Sequence, residues 1–186
     1  FPRERIAPTA IFWTALGLLY ILDAHQRPVR KRKTSSRILV GLALALTLLQ
    51  LVLTVRLAGF ERAMKQAVVA ERRTDWKAVA GETGAALGFG PFHAEAVHLQ
   101  GYALNQIGRY GASRELYLEA LTRRPYDIQM LNGMAIASQN LGLNDEAVAF
   151  YKRALDTLPN LADVWFNLAG LYSKTGRLDD AIRTFA

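Results

Sequence analysis

Residues 142–176 read GLNDEAVAFYKRALDTLPNLADVWFNLAGLYSKTG, a stretch that opens on Gly142 and closes on Gly176, a step of 34. Gly108 lies the same step upstream of Gly142, and prolines keep it at Pro91, Pro125 and Pro159. Small residues follow it too: Gly101, Ala135 and Ala169; Ser113, Ala147 and Ala181; Ala86, Ala120 and Ala154. Large rings recur at Tyr117, Tyr151 and Phe185. Self-similarity at this period marks a stack of small units, none of which can bury its apolar face alone.

The residue types fit units made of two antiparallel helices. Small residues stand where backbones come close, and rings fill the gap between successive pairs. Glycine ends the first helix in a conformation disfavoured for other residues, and proline follows the second helix, which it cannot continue. We therefore place helix pairs at about 94–107 with 111–123, 128–141 with 145–157, and 162–175 with 179–186. Asn144 before Asp145 and Glu146, and Asp179 with Asp180, are expected to cap and charge first turns. This pattern resembles the tetratricopeptide repeat family, and Trp165, Leu168, Ala169 and Tyr172 give its opening signature. The resemblance covers residues 92–186, where the last unit is expected to be truncated. Over 57–91, a connecting helix and degenerate repeat, Trp76, Ala86, Leu87 and Pro91 keep the phase of a unit whose first helix would run at about 58–73.

Upstream the composition changes. Ile6–Leu22 and Ile38–Val55 are uncharged runs of 17 and 18 residues, each roughly 26–27 Å long as a helix. With flanking residues, at about 6–24 and 38–55, each suffices for a hydrocarbon core of about 30 Å. The second run is apolar on every side, whereas a helix in a soluble fold keeps a polar face. Between the runs, the loop 25–37 carries Arg27, Arg30, Lys31, Arg32, Lys33 and Arg37 and no acid. Short basic loops stay in the cytoplasm, so Phe1 and everything beyond Arg56 are expected on the other side, in the periplasm of a bacterial inner membrane. The expected architecture is thus all-α: a membrane hairpin over 1–56, two transmembrane helices in all, followed by a tetratricopeptide-type α-solenoid.

Charge supports the division. The net charge is +7, yet residues 1–56 hold nine Lys/Arg against two Asp/Glu while 57–186 hold fourteen of each. The repeat part thus lacks the basic footprint of a nucleic-acid-binding surface. Absence of cysteine excludes disulfides and thiolate chemistry. His93 and His98 are five residues apart, which does not put both on one helical face, so no metal is expected. No nucleophile motif, phosphate-cradling loop or carboxylate pair stands out, and neither catalytic residues nor a cofactor are expected within this stretch.

Binding is the expected role, since a curved stack presents a face formed mainly by the first helix of each unit. By repeat position that face comprises Glu95, His98 and Tyr102, then Gln129, Asn132 and Ile136, then Asp163, Phe166 and Asn167, and would take a protein or peptide. Family members that grip a peptide carboxylate place basic residues at several of these positions; only Asn167 matches here.

The opening Phe1-Pro2-Arg3-Glu4-Arg5-Ile6, an apolar span, a basic turn, a last span and external repeats together resemble the C-terminal end of O-antigen ligase and polymerase family membrane proteins. The resemblance implies a many-span glycosyltransferase that takes sugar chains from a polyprenyl diphosphate carrier, with membrane lipid and lipid-linked oligosaccharide as partners. Arg3 and Arg5 would then lie at the outer interface and pair with the carrier's diphosphate. A chain that opens at Phe1 and stops at Ala186 within a repeat is expected to be a fragment of a longer protein, whose catalytic loop would precede Phe1. A second expectation is a non-enzymatic envelope assembly factor, such as a cytochrome c maturation component.

Overall fold

Gly108, Gly142 and Gly176 sit at φ +77°, +78° and +74°, a left-handed conformation that costs a residue bearing a Cβ about 1–2 kcal/mol. Each ends one helix and lets the next fold back beside it. The computed structural model describes Gly17, Leu19 and residues 33–89 and 93–185, and its regular structure is helical throughout. In chain order the helices are α1 (Lys33–Arg72), α2 (Trp76–Phe89), α3 (Ala94–Gln106), α4 (Tyr110–Arg123), α5 (Ile128–Asn140), α6 (Asn144–Thr157), α7 (Ala162–Lys174) and α8 (Leu178–Phe185). The chain divides into two compact units, Phe1–Arg56 and Leu57–Ala186.

In the first unit the described chain is chiefly the apolar part of α1. Among the described residues this helix alone is long and apolar enough to cross a membrane, and none of its most apolar stretch is buried. Leu46, Leu48, Leu49 and Leu51 point to different sides and are all more than half exposed. Its polar side chains turn inward on their own backbone: Thr47 Oγ1 donates to Leu44 O and Thr54 Oγ1 to Gln50 O, both at 2.8 Å. The helix starts at Lys33, inside the stretch read as loop. No proline or glycine separates Lys33 from Ile38, so nothing stops the helix at the edge of its apolar run. The first span, at about 6–24, lies outside the described residues except for Gly17 and Leu19, which are helical. Residues 25–32 of the basic loop, with Arg3 and Arg5, lie outside them as well.

In the second unit, α3/α4, α5/α6 and α7/α8 form within a residue or so of the positions read from the period. Their core is one cluster, with Tyr117, Met130, Leu131, Met134, Tyr151 and Leu168 almost wholly buried. A smaller cluster joins Ala67 and Ala70 of α1 to Val79 of α2 and to Leu99 and Ala103 of α3. The close approaches expected of the small residues are real: a Cβ on Gly101 or Gly133 would come within 2.6 Å of the Tyr117 ring. Ser113 Oγ donates to Gly101 O at 2.9 Å, locking α4 to α3.

The capping expectation is corrected. Asn144 is the first residue of α6, Leu143 holds the N-cap position, and no side chain caps that helix. Carboxylates cap elsewhere: Asp127 Oδ1 accepts from Met130 N at 3.3 Å at the start of α5, and Asp75 Oδ1 accepts from Ala78 N at 3.0 Å at the start of α2. Asp145 and Glu146, and Asp179 and Asp180, do occupy first turns.

Candidate functional site

A helix buries one side and must present the other, and α3, α5 and α7 bury the sides that carry Val97, Leu131 and Leu168. Glu95, His98 and Tyr102 step by three and four residues along α3 and so share a face, as do Gln129, Asn132 and Ile136 along α5. None of the nine face positions is buried. Glu95, Tyr102, Gln129, Asp163 and Phe166 are exposed, whereas His98, Asn132, Ile136 and Asn167 are half-buried. Phe166 is the most open ring of the set, 70% exposed. Ile136 packs against the main core cluster.

Aromatic contacts gather at α3. The His98 ring stacks on Tyr102 with centroids 6.4 Å apart, and Tyr102 meets the Trp76 ring edge to face at 5.2 Å. Trp76 comes from the start of α2 and extends the face beyond the positions read from the sequence. Burial pushes the His98 imidazole below its usual range, against the opposing pull of the Asp127 and Glu71 carboxylates. The ring is therefore neutral at neutral pH and offers one donor and one acceptor. Beneath it, the buried Tyr117 hydroxyl donates to His98 O at 3.1 Å, and burial raises that phenol far above its usual range.

Two asparagines add unanswered polarity. Asn105 Nδ2 donates to Gly133 O at 3.1 Å, linking α3 to α5, while its Oδ1 and that of Asn132 are buried acceptors with no partner among the described residues. Asn105 was not among the sequence candidates, although a lone amide on the buried side of an apolar helix is a visible signal. Of the nine face residues two, Glu95 and Asp163, are anionic and none is Lys or Arg, while the nearby Asp127 is paired with Arg124 at 3.4 Å. Among the described residues no group of three His, Cys, Asp or Glu side chains is placed to hold a metal ion. What the face can do is bind: it offers rings, amides and carboxylates on rigid helices.

Stacked antiparallel helix pairs repeating at a step of 34 define the class, an α-solenoid. The particular repeat is the tetratricopeptide repeat, since residues 94–127 and 141–186 match family models of that description. A solved structure of MamA, from residue 41 to the end, of Desulfovibrio magneticus RS-1 is similar at 15% identity with a TM-score of 0.64, over 68% of this chain and 71% of that one. MamA of AMB-1 gives 21% identity and a TM-score of 0.60, over 68% and 75%. The tetratricopeptide domain of Arabidopsis OM64 gives 14% and 0.60, over 63% and 98%. At these identities the likeness is one of fold. No curated protein sequence matches the chain. The second unit is a tetratricopeptide-repeat scaffold for protein interaction.

Proposed function

We propose that this scaffold is anchored in a bacterial inner membrane with its repeats in the periplasm, as the C-terminal region of an O-antigen ligase or polymerase-type glycosyltransferase. The observation that carries the reading is the apolar length of α1, exposed on every side. In water that surface is unfavourable by about 25 cal/mol for each Å², and a bilayer removes the penalty. Six cations and no acid in residues 25–37 set its direction. The motif Phe1–Ile6 supports the glycosyltransferase parentage, with Arg3 and Arg5 facing the carrier's diphosphate.

On this reading the first-helix face holds a segment of an envelope protein. The open Phe166 ring and the Trp76–Tyr102 pair receive apolar side chains, and the carboxylates favour basic neighbours. Membrane lipid and lipid-linked oligosaccharide are partners of the anchor rather than of the repeats.

Alkaline phosphatase fused after Arg73 should be active, and the same fusion at Lys31 inactive; activity at Lys31 would overturn the orientation. Parentage has a separate test, in which the full reading frame complements a strain lacking its envelope polysaccharide ligase. Charge reversal of Arg3 and Arg5 should then abolish transfer from the lipid carrier without lowering protein level. Normal transfer by that variant removes the diphosphate role, and failure of the whole frame to complement favours an assembly factor.

A further inference from the structure

The two gaps on either side of α4 differ. Between α4 and α6, Arg114 Nε and Nη2 donate to Glu146 Oε2 and Oε1 at 3.0 and 2.8 Å, and Ser138 Oγ of α5 donates to Glu146 Oε2 at 3.2 Å. One repeat upstream, the positions of Arg114, Glu146 and Ser138 are taken by Ala80, Ala112 and Leu104. All three line an open groove of about 760 Å³ between α2 and α4, floored by α3. The polar strap is missing where the groove opens.

Its floor and rim have a definite chemistry. Leu104, Ile107 and Leu116 make it apolar, and Gln100 stands on the floor where Met134 is fully buried one repeat later. Gln100 Oε1 is a buried acceptor with no partner among the described residues. Lys77 of α2 and Arg109 just before α4 supply cations, and Glu115 and Glu119 of α4 supply acids. All four are exposed, and none has an ion-pair partner among the described residues. By helical period, Gln100, Leu104 and Ile107 lie on the side of α3 opposite His98 and Tyr102, so this is a different surface from the candidate face.

We propose that the groove between α2 and α4 is a second docking site, and that its occupant is an amphipathic helix of a partner protein. The occupant's aliphatic stripe lies on Leu104, Ile107 and Leu116, with acids toward Lys77 and Arg109 at the end where α2 and α4 begin and bases toward Glu115 and Glu119 farther along α4. An extended strand would find no main-chain partners here, because the walls are helices whose backbone groups are bonded internally. An acyl chain would leave the rim charges unanswered. The site does not depend on the membrane or glycosyltransferase reading.

The test uses the full chain in lipid nanodiscs and stapled helical peptides of about 15 residues, a length at which unstapled helices are only marginal. The probe carries leucines at helical spacing, glutamates toward one end and lysines toward the other. A helix can lie in the groove in either direction, so the charge control carries lysine at both ends; a second control has serine for leucine. The mixed probe should bind at least about tenfold more tightly than either control. Gly81 lines the groove and a Cβ there meets nothing within 4 Å. Gly81→Leu should therefore fill the groove and weaken the probe by about tenfold or more with the melting temperature kept. The double change Ala80→Arg with Ala112→Glu, which rebuilds the strap, should do the same. Equal binding of probe and lysine control, undiminished binding to either filled groove, or saturation by a fluorescent fatty acid and by no peptide would each overturn the proposal.

Discussion

Tyr117 and Thr83 hold the same place in successive repeats, and the surroundings of each have changed to match. The Tyr117 ring lies against Gly101 and Gly133, where a Cβ would stand 2.3–2.6 Å from its atoms. One repeat earlier the corresponding residues are the smaller Thr83 on α2 and the larger Leu99 on α3, so the bulk there belongs to the first helix of the following pair. The ring seam belongs to the large cluster of tyrosines, methionines and leucines, and carries the Arg114–Glu146 strap across its outer edge. The threonine seam has a core of alanines, one valine and one leucine, and an open groove in place of the strap. A repeat array can thus keep its period while one joint is filled and tied and the next is thinly packed and left open for a ligand.

The sharpest way to break the comparison is to remove both residues. Tyr117→Ala should lower stability by about 3–5 kcal/mol, the range for deleting a buried ring, as read from urea unfolding followed by circular dichroism. Thr83→Ala loses one hydroxyl that donates to Val79 O within its own helix and should cost about 1 kcal/mol or less. Similar losses at the two positions would mean that the seams are equally strong. Next in size is Gly133→Ala, whose Cβ would meet the ring at 2.5 Å. Overpacking of this kind costs about 1–3 kcal/mol, so the melting temperature should fall although alanine is the better helix former.

The turn before α2 offers a change in the other direction. Thr74 has φ +55°, and it stands one full repeat before Gly108, at the place where the three other repeats use glycine. Its turn is held by Thr74 N donating to Glu71 O and Asp75 N donating to Ala70 O. A β-branched residue in this conformation is strained, and Thr74→Gly should add about 1 kcal/mol, less what glycine's freedom costs the folded state. A lower melting temperature would show that the threonine is comfortable there.

These residues also mark what was legible in the sequence. The glycine turns, the rings and the helix pairs could be read because each is a single residue whose physical role recurs at every step of the period. The nine face positions follow from the same period, and all nine reach the surface. Thr74 escaped because a threonine gives no hint of a left-handed turn. The Trp76–Tyr102 contact depends on how α2 leans on α3, which no spacing encodes. Glu146 read as a helix-start acid, yet its main partner, Arg114, lies almost a full repeat upstream. A comparison at the exact period aligns Arg114 with Val148 and Glu146 with Ala112, and so hides every pair that departs from the repeat.

That departure has a signature in pH. The two hydrogen bonds from Arg114 hold the Glu146 carboxyl below its ordinary value of 4.5, with a smaller contribution from Ser138. A carboxylate with a depressed folded-state pKa stabilises the fold above its unfolded value and loses that contribution as pH falls through the folded one. Because both side chains are nearly a third exposed, the two-pronged tie should be worth only about 0.5–1 kcal/mol. Glu146→Gln should therefore lower stability slightly at pH 7 and cease to differ from the parent once acid has protonated Glu146. If Glu146→Gln and the parent trace the same curve across that range, the strap across the ring seam contributes nothing, and the contrast between the joints rests on Tyr117 and Thr83 alone.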